Sequence, residues 1–231
     1  MNQTLKRILY FLLGLCGLLS LLCSVAASLV TNASLMNEGF LQFSQTSHLG
    51  VPPSRYGDYA AAVTDYLDGK TDAIQVLSSD GERKNAFSDK ENAHMRDVRS
   101  IISALKWVRW LGGSGVILIA GLLYVLKKQA RDQFLRDMAR GFACAAIVIV
   151  ALALGLGIWG LVNFRGLFWM FHKVVFSNDL WLLDPQTDLL MALMPLPFFT
   201  WYAGQIIKSL LPILGVMGLV IIAYFKTKDR A

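Results

Sequence analysis

Four long apolar runs set the layout of the chain: residues 8–30, 102–126, 141–163 and 204–225. Each is near the ~20 residues that a helix needs to cross the hydrocarbon core of a bilayer, so each predicts a transmembrane helix. The first, which opens KRILYFLLGLCGLLSLLC, is longer than the ~7–15-residue core of a secretory signal and reads as a retained anchor. Polar residues concentrate in one long stretch, 31–100, expected to form a small extracytoplasmic cap between spans one and two. Residues 127–140 predict a short cytoplasmic loop, and 164–203 an aromatic-rich segment at the outer interface. The expected fold class is therefore a predominantly α membrane protein with four spans and both termini cytoplasmic.

Within the cap, RYGDYAAAVTDYLDG reads as a helix. Tyr56, Tyr59, Val63, Tyr66 and Leu67 fall on one face, and Gly69 marks the end. AIQVL, near Ala73 to Leu77, suits a short strand, and Ser79-Asp80-Gly81-Glu82 suits a turn. Ser88-Asp89-Lys90-Glu91 has the spacing of a capping box, which starts a helix through His94, Asp97 and Ile101. No breaker precedes Gly112, so this helix is expected to run directly into the second span. Beyond the third span, Asp184-Pro185 predicts an N-cap and N1 proline for a short helix over PQTDLLMALM, which must stop before Pro195.

Composition sharpens this picture. The chain has 231 residues, 55% of them hydrophobic and only 16% charged, the balance of a membrane protein rather than a soluble domain. Its net charge of +6 is unevenly spread. Lys6, Arg7, Lys127, Lys128, Arg131, Arg136, Arg140, Lys226, Lys228 and Arg230 outweigh Asp132, Asp137 and Asp229 on the flanks assigned to the cytoplasm. That is the positive-inside pattern and not a nucleic-acid patch, so no nucleic-acid partner is expected. Cys16, Cys23 and Cys144 all lie inside apolar runs, which argues against a disulfide framework or a cysteine metal site. The cap, with roughly 70 residues and no staples, is near the lower limit for independent stability.

Candidate chemistry centres on the outer interface. Ten aromatic residues fall between Phe164 and Tyr202, and among them sits one histidine, His172, followed by Ser177, Asn178 and Asp179. His94 lies on the capped helix with Asp97 three residues on, spacing that lets a carboxylate orient an imidazole. His48, in SQTSHLG, reads as an ordinary surface histidine. There is no HExxH, no CxxC and no paired histidine at helical spacing, so neither a metal nor a cofactor is called for. Gly112-Gly113-Ser114-Gly115 misses the nucleophile-elbow spacing. An enzyme built this way takes its nucleophile from the substrate and uses histidine as general acid or base.

Two segments, SDKENAHMRDVRSI with its HMxDV core at His94 to Val98 and FHKVVFSNDLWLLDPQTDLLMALMPLPFF from Phe171 to Phe199, occur together with four spans and a long first outer segment. In this the chain resembles the lipoprotein intramolecular transacylases of bacteria, the Lit family. The resemblance implies an acyltransferase acting on a diacylglyceryl lipoprotein. The acyl chain at glyceryl sn-2 would move to the α-amine of the lipidated N-terminal cysteine, giving the lyso form. By motif, the catalytic pair would be His94 and His172, with Asp97 orienting His94. Phe171, Phe176, Asn178, Trp181 and Phe199 would bind the lipid, and Arg96, Lys173 or Asn178 would face the oxyanion. The expected location is the cell membrane, multi-pass, with the active site on the extracytoplasmic side, membrane lipid as neighbour and a monomer as the working unit. Two other readings compete: a non-enzymatic membrane protein that binds a lipid or partner through the outer aromatic segment, and a metal-dependent membrane hydrolase.

Overall fold

The structure is a computed structural model that describes residues 2–78, 80–126 and 131–228. In chain order the elements are α1 (Gln3–Val30), α2 (Ala33–Phe43), α3 (Tyr56–Asp68), β1 (Gln75–Leu77), β2 (Arg83–Asn85), α4 (Asp89–Val125), α5 (Arg131–Val175), α6 (Leu189–Leu193) and α7 (Leu196–Lys228). Among the described residues, four helices are long and apolar enough to cross a membrane: Gln3–Val30, Asp89–Val125, Gln133–Val175 and Leu196–Ala223. Their outward faces carry bare aliphatic side chains such as Ile117, Leu161 and Val162, which water would not tolerate in such number but lipid does. Part of the expected cytoplasmic loop, residues 127–130, lies outside the described residues. The rest of that loop is already helical, because α5 begins at Arg131.

The chain divides into two compact units. The first comprises Met1–Val25, Leu105–Leu161 and Lys208–Ala231. Its helices meet at glycines. A Cβ on Gly14 would lie 2.8 Å from the Gly141 carbonyl oxygen, and one on Gly141 would lie 2.2 Å from that of Tyr10. Gly112 stands in the same relation to the Cys16 carbonyl, at 2.8 Å. Small residues at such crossings let backbones touch, which is how helices associate where lipid removes the hydrophobic drive. Tyr10, Leu13 and Leu123 form the buried centre, and the Ser20 hydroxyl donates to the Arg109 carbonyl at 2.8 Å.

The second unit comprises Ala26–Ala104 and Val162–Ile207 and contains the cap. α2, which sequence patterning did not announce, starts at Asn32, whose side chain caps Leu35 N. Phe40 on α2 is fully buried against Tyr56 and Phe198. α3 falls where its apolar face predicted, and Gly69 ends it in the left-handed region at φ 86°. The strand at Gln75–Leu77 pairs antiparallel with Arg83–Asn85, an all-exposed RKN run that carries no strand pattern. Of the turn expected between them, Ser79 lies outside the described residues, and Gly81 sits at φ 84°. Thr46 donates its hydroxyl to the Val51 carbonyl, so its contact with Tyr56 at 2.8 Å requires the phenol to be the donor.

Two expectations need correction. α5 does not stop at Asn163: the residue breaks the helical dihedrals (φ −151°, ψ 75°), then caps a continuation to Val175 by accepting Gly166 N at 2.8 Å. Gly166 is required there, since a Cβ would lie 2.6 Å from the Asn163 amide nitrogen. The helix expected to start at Pro185 starts instead at Leu189, with Asp188 at the cap position. Asp184 is spent on a turn of its own, accepting Gln186 N at 2.9 Å while its backbone N–H donates to the Asp188 carboxylate. α6 ends at Met194, ahead of Pro195 as the proline demands.

Candidate active site

The capping box at Ser88 holds one wall of the site. Glu91 accepts the Ser88 amide at 2.7 Å with one oxygen, as the motif predicts. Its other oxygen accepts Leu190 N at 2.6 Å. This second bond satisfies a first-turn amide of α6, one of the N–H groups that a helix start leaves open. A carboxylate only 2% exposed thus ties α4 to α6. Lys90 adds a bond to the Leu182 carbonyl.

One turn after Glu91, His94 turns inward, and the continuation of α5 past Asn163 carries His172. Both imidazoles are 7% exposed, and their ring centroids are 6.1 Å apart. Aromatic rings enclose them. Phe176 lies 5.2 Å from His94 and 5.4 Å from His172, so it touches both. Phe168, Trp181 and Phe171 approach His172 at 4.2, 5.0 and 5.3 Å. Phe199 reaches Phe168, at 5.0 Å, and is one ring removed from the histidines. The sequence pattern does not single out Phe168 among its aromatic neighbours. Its position four residues before His172 on a helix was the available signal.

The hydrogen bonds fix the chemistry further. His172 Nδ1 lies 2.7 Å from the Phe168 carbonyl. A carbonyl can only accept, so Nδ1 carries the proton and neutral His172 presents a bare Nε2 lone pair. His94 Nδ1 is buried without a hydrogen-bond partner among the described residues. Asp97 does not serve it, contrary to expectation. Its carboxylate accepts from the Asn178 amide at 2.9 Å, a link from α4 to the segment after α5. Asn178 also accepts Leu180 N at 3.1 Å in a local turn. Lys173 lies over the Trp169 ring at 4.3 Å. His48 is exposed and reaches the Pro185 carbonyl at 3.1 Å, consistent with its reading as a surface histidine.

Both histidines lie outside the apolar runs 102–126 and 141–163, His94 in the polar first turns of α4 and His172 past the Asn163 break. Burial pushes the His94 imidazole down to about 4, with His172 adding to the effect and the Asp97 charge opposing it. Burial lowers His172 as well, against the pull of the Phe168 carbonyl. At neutral pH the enclosure therefore holds two neutral imidazoles. No group of three or more histidine, cysteine, aspartate or glutamate side chains with metal-binding geometry occurs among the described residues.

Fold and site together define a helical, membrane-integral protein with a desolvated histidine pair inside an aromatic wall. The profile of the lipoprotein intramolecular transacylase Lit matches residues 11–199, and the chain belongs to that family of membrane enzymes. Among solved structures, it is similar to the membrane-integral lipoprotein intramolecular transacylase Lit from Bacillus cereus, at 20% identity and a TM-score of 0.73, over 100% of both chains. Two single-histidine variants of that Bacillus cereus protein match in the same way. One has a TM-score of 0.67 at 20% identity, over 98% of this chain and 95% of that one. The other has a TM-score of 0.70 at 19% identity, over 99% and 97%. At this identity the likeness establishes the fold. No curated protein matches the chain.

Proposed function

We propose that His94 and His172 are the acid–base pair of the transacylation, and that the chain moved is the sn-2 acyl group of a diacylglyceryl lipoprotein. The nitrogen–acyl bond forms at the α-amine of the lipidated cysteine as the ester bond at sn-2 breaks. One proton leaves nitrogen and one arrives on the sn-2 oxygen, so mass is conserved. The observation that carries this reading is the pairing itself, two imidazoles from distant parts of the chain buried 6.1 Å apart.

Their different settings support a division of labour. His172, with Nδ1–H held by the Phe168 carbonyl, offers Nε2 as the base that takes the proton from the attacking amine. His94, neutral in the resting site, receives that proton from His172 and, being held to a low proton affinity by its burial, gives it up readily to the departing oxygen, so both imidazoles end the step neutral. An α-amine has a pKa near 8, and a site that resists charge favours the neutral nucleophile. Amine and ester belong to one molecule, so the task is orientation, for which effective molarities of order 10⁵ M or more are available. Phe168, Phe171, Phe176 and Trp181 form the wall against which the bent lipid folds, with Phe199 behind them. They also keep out water that would hydrolyse the ester. Asp97 and Asn178 act together, joining the helix of His94 to the segment that follows His172. Basic residues on the alternate flanks support an extracytoplasmic site, and a monomer contains every residue the scheme uses.

The test is expression in cells that make diacyl lipoproteins, followed by mass spectrometry of their N-terminal lipopeptides. Wild-type protein should leave the total mass unchanged and relocate an acyl chain to nitrogen. His94→Ala and His172→Ala should each lower that product by roughly 10²-fold or more. Undiminished product in both variants would refute the site. No relocation with intact protein would favour lipid binding without chemistry, and chelator-sensitive mass loss would favour a metal hydrolase.

A further inference from the structure

A groove of about 430 Å³ opens on α5 just past the Asn163 break, within the second unit. Asn163, Arg165, Gly166, Trp169, Met170 and Lys173 line it. Arg165, Trp169 and Lys173 follow one another at four-residue intervals, so they form one stripe along the helix. His172 takes the buried side of this helix, whereas Trp169 and Met170 are half exposed. No carboxylate lines the groove, and neither Arg165 nor Lys173 makes an ion pair among the described residues. The Lys173 ammonium is held in place all the same, over the Trp169 ring at 4.3 Å, and Trp169 is braced edge-on against Trp181 at 5.3 Å. A ring's quadrupole orients a cation without cancelling its charge. Seated over residue 169, that ammonium also reaches back one turn towards Arg165. Two unneutralised cations therefore converge on one tryptophan-floored groove.

We infer that this groove binds an anionic phospholipid of the leaflet at this end of α5, its phosphate between Arg165 and Lys173. The glycerol and first acyl carbons lie along Trp169 and Met170. Arginine and lysine together suit a phosphate, the first as a fork of donors and the second as a point charge. Tryptophan marks the headgroup level of a bilayer, so a lipid phosphate lies at the depth of these cations. The apolar floor continues down α5 through the bare side chain of Val162, which favours a lipid over a free ion. Two positive charges against one phosphate favour a net-negative lipid, since a choline group would meet repulsion.

The test uses the full chain purified in neutral detergent, with phosphatidylglycerol or phosphatidylcholine added at equal mole fraction and retained lipid counted by native mass spectrometry. Phosphatidylglycerol should be retained and phosphatidylcholine lost. Arg165→Gln/Lys173→Gln should weaken retention of phosphatidylglycerol by roughly twentyfold or more, about fivefold for each cation removed. Arg83→Gln/Lys84→Gln, which removes equal charge from β2, should leave retention unchanged. Met170→Lys, which adds a cation within the groove, should strengthen it by about fivefold, an outcome that does not depend on the double variant folding. Equal retention of both lipids, undiminished retention in the groove pair, equal loss in the β2 pair, no gain in Met170→Lys, or displacement of the lipid by millimolar inorganic phosphate would each overturn the assignment.

Discussion

At the scale of single residues, the site is defined by two imidazoles that burial keeps uncharged. His94 shows the consequence for stability. Its folded value of about 4 lies below the ordinary imidazole value near 6.5. Above that ordinary value, folded and unfolded chains are both neutral at this residue and pH has no effect through it. As pH falls from about 6.5 towards 4, the unfolded chain takes up a proton that the folded chain refuses. Stability should therefore drop across that window, by up to about 3 kcal/mol, and level off below it. His172, lowered by burial too, acts in the same direction. Unfolding midpoints in detergent between pH 7.5 and 4 should show the fall, and His94→Phe should flatten much of it. An unchanged slope in His94→Phe would mean that the buried imidazole is not the group that resists protonation.

At the scale of elements, Glu91 joins a helix start that is legible in the sequence to one that is not. Serine and glutamate three residues apart announce the α4 cap, because that interaction is local. The bond from Glu91 to Leu190, 99 positions away, leaves no local trace. Removing the carboxylate leaves two amides, Ser88 N and Leu190 N, without their acceptor. Glu91→Ala should cost about 2–5 kcal/mol, and Glu91→Gln, which retains one acceptor oxygen, roughly half as much. Chemical unfolding monitored by near-ultraviolet circular dichroism would measure both, and equal losses would rule out the two-bond account. The same distinction explains the other successes and misses. α3 and the Gly69 stop are written in periodicity and in a left-handed position, whereas β2 is an exposed hairpin strand held by its partner's backbone. Asp184 and Asp188 compete for one cap, and proline spacing alone favoured the wrong one. The histidines were legible as types out of place, but the engagement of Asp97 with Asn178 rather than with His94 depends on contacts 81 positions apart.

At the scale of the whole molecule, glycines that look alike in the sequence do different work in the helices. Gly141 and Gly155 both lie on α5 in an apolar setting. A Cβ on Gly155 meets nothing within 4 Å, so that glycine makes no close approach. A Cβ on Gly141 would sit 2.2 Å from the Tyr10 carbonyl oxygen, a backbone atom that cannot swing aside. Even a methyl group there must force α1 and α5 apart, and the separation loosens the packing of Tyr10 and Leu13 beside it. Gly141→Ala should lower stability by about 1–3 kcal/mol, with a larger loss for Gly141→Leu. Gly155→Ala should be neutral or gain up to about 1 kcal/mol from its higher helix propensity, less whatever part of that difference lipid removes. Thermal unfolding of the three variants in one detergent gives the comparison directly. If Gly141→Ala and Gly155→Ala proved equally benign, the first unit would be held by side-chain packing and not by touching backbones. A loss confined to the Gly141 variants ties the assembly of α1 and α5 to one residue's missing side chain.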